Sequence, residues 1–126
     1  MLNDIIGSKT LIPILKKLLN LGAVRHRVIA QNIANLSTIG YRKKTVEFSE
    51  SLRSMLDSNG SGLDNGNEDF SIIESKKIPE PGAANNVVLS DEMADLARNQ
   101  LYYKFAVNMM KRQLISIKSS IVGRNL

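Results

Sequence analysis

Nucleophiles, bases and metal ligands do not gather anywhere in this chain. Cys is absent and His26 is the sole histidine, so a disulfide framework, a thiolate metal site and a multi-histidine zinc site are all excluded. Two pairs of acids stand close in sequence. Asp91 with Asp95 reads as a helix start, where the helix dipole favours carboxylates, and Glu68 with Asp69 as a solvated loop. Ser, His and Asp all occur, yet no pattern such as G-x-S-x-G or H-E-x-x-H sets them in register. The expectation is a chain with no enzymatic activity, no cofactor and no metal.

The residues that stand out are amides. Ala30 to Tyr41 reads Ala-Gln-Asn-Ile-Ala-Asn-Leu-Ser-Thr-Ile-Gly-Tyr, a helix end followed by a turn. Asn32 and Asn35 are three apart and share a helix face. Asn35 suits the terminus because asparagine tolerates left-handed backbone angles. Ser37 and Thr38 can bond nearby backbone, Gly40 permits positive φ, and Tyr41 can anchor the exit. In purely physical terms this is an elaborate helix C-cap.

The elements that position this turn follow from periodicity. Ile12, Leu15, Leu19, Gly22, His26, Ile29, Ile33 and Leu36 step by threes and fours, which predicts a helix from about Thr10 to Asn35. Thr10 is its expected N-cap, with Pro13 in the first turn. Met93, Leu96, Gln100, Tyr103, Val107, Met110, Leu114, Ile117 and Ile121 keep the same spacing and predict a second helix. Ser90 is its expected N-cap, Asp91 and Glu92 lie in its first turn, and Gly123 is its stop signal. Its stripe is narrow, as in a coiled-coil seam. Gly22 is either a tolerated weak point or a place where another helix approaches closely. Gln100 either fixes register within the seam or faces solvent.

Between the helices, Val46 to Leu56 suggests a short helix with Phe48, Leu52 and Met55 or Leu56 on one side. Asp57 to Asn67 is a polar run without period, Phe70 to Ile73 a candidate strand, and Pro79-Glu80-Pro81-Gly82 a turn. The expected fold is mainly α: two long terminal helices form an antiparallel coiled-coil-like hairpin around a partly irregular middle segment. Residues 1–41 hold the first helix and its turn, 42–89 the middle segment, and 90–126 the second helix, as one structural unit.

Composition agrees. Of 126 residues 43% are hydrophobic but only 5% aromatic, with no Trp, so packing falls to aliphatic side chains and methionine. One seam is a thin return against about 1–2 kcal/mol of conformational entropy per ordered residue, so further partners are expected. The net charge is +5. Its basic residues are spread along the chain, with only Arg42-Lys43-Lys44 dense, and they read as a solvated face rather than a nucleic-acid site. The N-terminus lacks a basic n-region, and Pro13 and Lys16 interrupt the apolar stretch, so no cleaved signal peptide and no membrane span is expected.

The turn resembles the Asn-Ile-Ala-Asn-x-x-Thr-Pro-Gly-Tyr signature of bacterial flagellar rod, hook and related axial proteins, through Asn32, Ile33, Ala34, Asn35, Thr38, Gly40 and Tyr41. Asn85-Asn86-Val87-Val88-Leu89-Ser90-Asp91-Glu92-Met93, then Leu96-Ala97-Arg98-Asn99-Gln100-Leu101-Tyr102-Tyr103 and the close at Ile121-Val122-Gly123, are similar to the tail of a proximal-rod subunit. Ile39 stands where that family usually has Pro, which restores a backbone donor and frees φ.

The resemblance implies a structural subunit of the basal-body rod, periplasmic in place and exported by the flagellar type III apparatus. It would polymerise through its terminal helices into the axial drive shaft of motility. Implied partners are rod proteins of the FlgC, FlgF and FlgG type, the basal adaptor FliE with the MS-ring region, and transiently the export apparatus; no nucleic acid is implied. The signature residues would then meet a neighbouring subunit. The alternative reading is a small basic helical nucleic-acid-binding or adaptor protein, which a salt-dependent shift of labelled DNA would reveal.

Overall fold

The computed structural model describes residues 2–48 and 70–123, with side chains from residue 11 onwards in the first helix. Among the described residues four elements occur: α1 Leu2–Ala34, β1 Lys44–Phe48, β2 Phe70–Glu74 and α2 Leu89–Val122. The two long helices pack against each other, as periodicity predicted. They run antiparallel, since Asn99 meets Gly22 while Glu92 meets Asn32. The fold is mainly α.

α1 starts earlier than expected. Thr10 lies inside it rather than at its N-cap, and Pro13 sits in its body. Proline removes one N–H and crowds one carbonyl, and Leu15, buried two residues later, shows the same helix carrying on into the packed seam. α2 begins at Leu89, so Ser90 is not its N-cap. That position is Val88, extended at φ −114 and ψ 116, with no side-chain cap. Gly123 ends α2 at φ −66, without the left-handed turn a glycine stop often uses.

Val46–Phe48 belong to a strand, not to the expected short helix. β-branched Thr45, Val46, Ile72 and Ile73 suit a pleated ribbon, and β1 pairs antiparallel with β2 in the register Lys44↔Glu74 to Phe48↔Phe70. The remainder of that expected helix, and the polar run 57–67, lie outside the described residues. The Phe70–Ile73 strand is present as β2.

The buried apolar core lies largely on α1, with Leu15, Leu21, Val24, Val28 and Ile29, and is completed by Val87 and Ala106. On α2 the seam runs through Glu92, Asn99 and Ala106. That is one residue before the expected Met93, Gln100 and Val107. Met93, Leu114 and Ile121 are more than half exposed and Tyr103 is exposed, while Leu96, Val107, Met110 and Ile117 are half-buried. Polar side chains occupy inward positions here, so a rule that places only apolar residues inward rotates the seam by one residue. Gln100 faces solvent.

Gly22 is a close-approach point. A Cβ there would stand 2.8 Å from Tyr103 Cδ2, and the Gly22 carbonyl accepts a 2.9 Å hydrogen bond from Asn99 Nδ2. The missing side chain lets α2 reach the α1 backbone.

Candidate functional site

At one end of the hairpin the last turns of α1, the signature turn, the ribbon and the start of α2 meet in a polar knot. Asn32, 1% exposed, is its centre. Its Nδ2 donates to the Lys44 carbonyl at 2.8 Å and to Glu92 Oε2 at 3.1 Å. Its Oδ1 accepts from the Tyr41 hydroxyl and from the Lys44 N–H, both at 3.0 Å. Every hydrogen-bonding capacity of this amide is used, and with it α1 holds the head of β1 and the first turn of α2.

Glu92 is fully buried. Lys43 Nζ lies 2.6 Å from its Oε1, and the Lys43 side chain is only 14% exposed. Oε1 accepts no well-directed hydrogen bond among the described residues, so Lys43 is what balances the charge. A buried carboxylate without a counter-ion costs several kcal/mol. Lys43 also lies 3.9 Å from Asp95. The Tyr41 phenol is raised above its ordinary 10.0, by burial first and then by the Glu92 and Glu74 carboxylates.

Two further asparagines tie the turn to the segment before α2. Asn85 Nδ2 reaches the carbonyls of Asn35, Leu36 and Thr38 at 2.9–3.1 Å, and Asn85 Oδ1 accepts from the Val87 N–H. Those carbonyls belong to the turn just past the end of α1, so Asn85 braces the turn against the segment before α2. Asn86 Oδ1 accepts from the Lys43 N–H at 2.7 Å, and its Nδ2 donates to the carbonyls of Ser75 and Lys77. Gly40, at φ +76, donates its N–H to the Ala84 carbonyl.

Of the signature residues, Asn32 and Tyr41 enter the knot directly. Asn35 and Thr38 stay local: Asn35 Nδ2 bonds the Gln31 carbonyl and Thr38 Oγ1 bonds Asn35 Oδ1. Gly40 provides the turn, Ile33 is half-buried, Ala34 is exposed, and Ile39 is 88% exposed. Sequence reasoning assigned no role in the knot to Lys43, Asn85, Asn86 or Asn99, and gave Glu92 only that of a first-turn acid. Lys43 looked like one more solvated cation of a basic triplet. The available signal was the polar residues, Glu92 and Asn99, one position before an apolar stripe.

Two recesses flank this region. A cleft of about 260 Å³ lies beside the knot, lined by Arg25, Val28, Lys43, Glu92 and Arg98 among others. A more apolar groove of about 350 Å³ lies between the helices beside Leu15, Gly22, Phe48 and Tyr103. Arg25 stacks on the Phe48 ring at 4.9 Å from its centre, fixing the ribbon to α1. Among the described residues no group of three or more His, Cys, Asp or Glu can hold a metal ion, and no helix is long and apolar enough to cross a membrane.

A long helical hairpin locked at one end by buried amides and one ion pair is a scaffold built for packing. No family model matches the chain. It is, however, 29% identical to the flagellar basal body rod protein FlgB of Bacillus subtilis (strain 168) over 121 residues, covering 86% of this chain and 91% of that protein. It is 24% identical to the flagellar basal body rod protein FlgB of Aeromonas hydrophila over 115 residues, 83% of this chain and 87% of the relative. Both matches take in most of each chain and carry the same name. The resemblance read from the two motifs is borne out: the chain is similar, over most of its length, to flagellar basal body rod protein FlgB.

Proposed function

We propose that this chain is a structural subunit of the flagellar basal-body rod, in its proximal part, and that it performs no catalysis. The observation that carries this reading is the meeting of its two motifs. The signature turn at 32–41 and the tail at 85–99, far apart in sequence, hold one another through Asn32, Asn85 and Glu92. Asn32, Asn35 and Thr38 of the first motif thus meet Asn85 and Glu92 of the second at a junction from which two helices of 33 and 34 residues extend.

In this reading the terminal helices polymerise with those of neighbouring subunits into the axial drive shaft. Segments 1–41 and 90–126 form the shared helical layer. Asn32, Ile33, Ala34, Asn35, Thr38, Gly40 and Tyr41 shape the junction that meets the next subunit, with Ile39 exposed at its tip. Partners are other rod proteins of the FlgC, FlgF and FlgG type and the FliE-containing base next to the MS ring. The chain reaches the periplasmic rod through the flagellar type III exporter. Contacts of this heterologous kind propagate an assembly instead of closing it as a dimer.

The test is genetic and biochemical together. Deleting the gene from its host should abolish motility, and a tagged copy that restores motility should co-purify with detergent-isolated basal bodies. A deletion strain that still swims, or a tagged chain absent from basal bodies, overturns the proposal.

A further inference from the structure

The groove between the helices has two walls and one closed end. Leu15, Leu18 and Gly22 form the α1 wall, and Tyr102, Phe105 and Ala106 the α2 wall. Phe48 closes the end beside the ribbon, under the Arg25 guanidinium. Apolar surface stays uncovered there, with Tyr102 62% and Phe105 66% exposed. Arg98, Tyr102, Phe105, Met109 and Arg112 recur at alternating steps of four and three. They therefore share one face of α2, and two cations flank its aromatic pair.

Charge on the body of the hairpin has one sign. From residue 11 to Ala34, α1 carries Lys16, Lys17, Arg25 and Arg27. From Leu96 to Val122, α2 carries Arg98, Lys104, Lys111, Arg112 and Lys118. Neither stretch holds an Asp or Glu. Arg98 does meet Asp95 at 3.1 Å, but both side chains are well exposed, and such a pair yields readily to another carboxylate.

A recess of about 350 Å³ between two helices suits the side-chain ridge of a third. Cations on both its walls, with no acid among them, call for carboxylates beside that ridge. A second copy does not supply them. Its hairpin offers the same cations, and at its ribbon end Lys44, Lys76 and Lys77 stand among Glu47, Glu74 and Glu80, with Lys44 directly opposite Glu74. Nucleic acid would engage the cations and leave the apolar walls in water, and a lipid surface suits a convex stripe better than a recess.

Resting on the rod-subunit reading, we propose that this groove receives an acidic amphipathic helix of a different protein chain, laid along α1 and α2 as the third member of a bundle. Its apolar stripe fills the space between Leu18 and Phe105. Its flanking Asp or Glu residues meet Arg25 on one side and Arg98 and Arg112 on the other. Bare hairpins of this chain repel one another through this face, so the helix that covers it comes from a neighbour of opposite sign.

The experiment is fluorescence anisotropy of labelled synthetic peptides titrated with the full chain, with circular dichroism as a control for folding. One probe is a helical peptide of about 20 residues, roughly 30 Å long, with Leu along one face and Glu on both flanks. The other carries Lys in place of every Glu. The acidic peptide should bind at least about tenfold more tightly than the basic one. That advantage should shrink as salt shortens the Debye length from about 10 Å at 0.1 M to about 3 Å at 1 M. R98E/R112E should lose on the order of tenfold in affinity for the acidic peptide, and Phe105→Ser should weaken both peptides. K16E/R27E, which changes the far face of α1 by the same charge, should lose no more than about threefold.

Equal binding of the two peptides, binding of neither, or undiminished binding of the acidic peptide by folded R98E/R112E overturns the proposal. An equal loss in K16E/R27E and R98E/R112E overturns it too, because net charge rather than the groove would then be the cause. Binding of phosphatidylglycerol vesicles or of labelled DNA that is lost in Phe105→Ser, or self-association lost in R98E/R112E, assigns the face to another occupant and also overturns it. All of these outcomes leave the rod-subunit reading intact, and failure of that reading is seen separately, in basal bodies that lack the chain.

Discussion

Replacing Asn32 with Ala removes four hydrogen bonds from a side chain that is 1% exposed. The bond to Glu92 is to a charged group, worth about 1.5–3 kcal/mol, and the others are neutral at about 0.5–1.5 kcal/mol each. These contributions overlap, because the Tyr41 hydroxyl can turn to water once Oδ1 is gone. The expected loss is about 3–5 kcal/mol, dominated by the carboxylate and by the Lys44 backbone groups left without a partner. Asn35→Ala is the internal comparison. Its side chain makes two exposed local bonds, to the Gln31 carbonyl and to Thr38, and its loss should cost only about 0.5–1 kcal/mol. Urea unfolding followed by circular dichroism reads both, with an unchanged m-value required for the comparison. Equal costs for the two asparagines, or a cost for Asn32→Ala below about 1 kcal/mol, would refute the assignment of Asn32 as the centre of the knot.

Lys43→Met should destabilise the chain by about 3–5 kcal/mol because it strands the Glu92 carboxylate, and adding Glu92→Gln should recover most of that loss in a double-mutant cycle. Additive costs would mean the two groups do not act as a pair. Gly22→Val should cost about 1–3 kcal/mol through collision with Tyr103, and Tyr103→Ala in the same chain should relieve most of it. An unrelieved cost would place the clash elsewhere. The folded chain holds the Tyr41 proton to higher pH than the unfolded chain, which releases it near 10.0. Stability from this group is therefore complete below that pH and falls as pH rises towards the folded value. Tyr41→Phe should flatten the decline, and an identical slope in the variant would remove Tyr41 as its source.

Periodicity carried the two helices and their antiparallel pairing, because aliphatic residues recur at helical spacing over many turns. It did not carry the orientation of α2. Glu92 and Asn99 point inward, and their burial is compensated by Lys43, Asn32 and the Gly22 carbonyl, none of which is near them in sequence. The helix starts were misplaced for a related reason. Thr10 and Ser90 have capping side chains, but α1 runs past Thr10 and the entry to α2 is shaped by Asn85 acting on the preceding backbone. Val46 to Phe48 became strand because pairing with Ile72 and Phe70 outweighs a helical spacing of only three apolar residues. The signature turn was legible as local structure, including the positive φ of Gly40. Its long-range partners were not, since one asparagine does not reveal which distant carbonyl it will meet.

The pairing of Phe48 with Phe70 has one consequence for how this chain can diversify. The ribbon, stapled to α1 by Arg25 and to the knot by Lys43 and Lys44, fixes Phe48 and Phe70, the two points between which its strands are joined. Loop-closure entropy rises only with the logarithm of length, about 0.6 kcal/mol for each doubling. Residues can accordingly be added or removed between the strands with little effect on the hairpin, so the stretch between Phe48 and Phe70 is free to change length while the helices stay as they are.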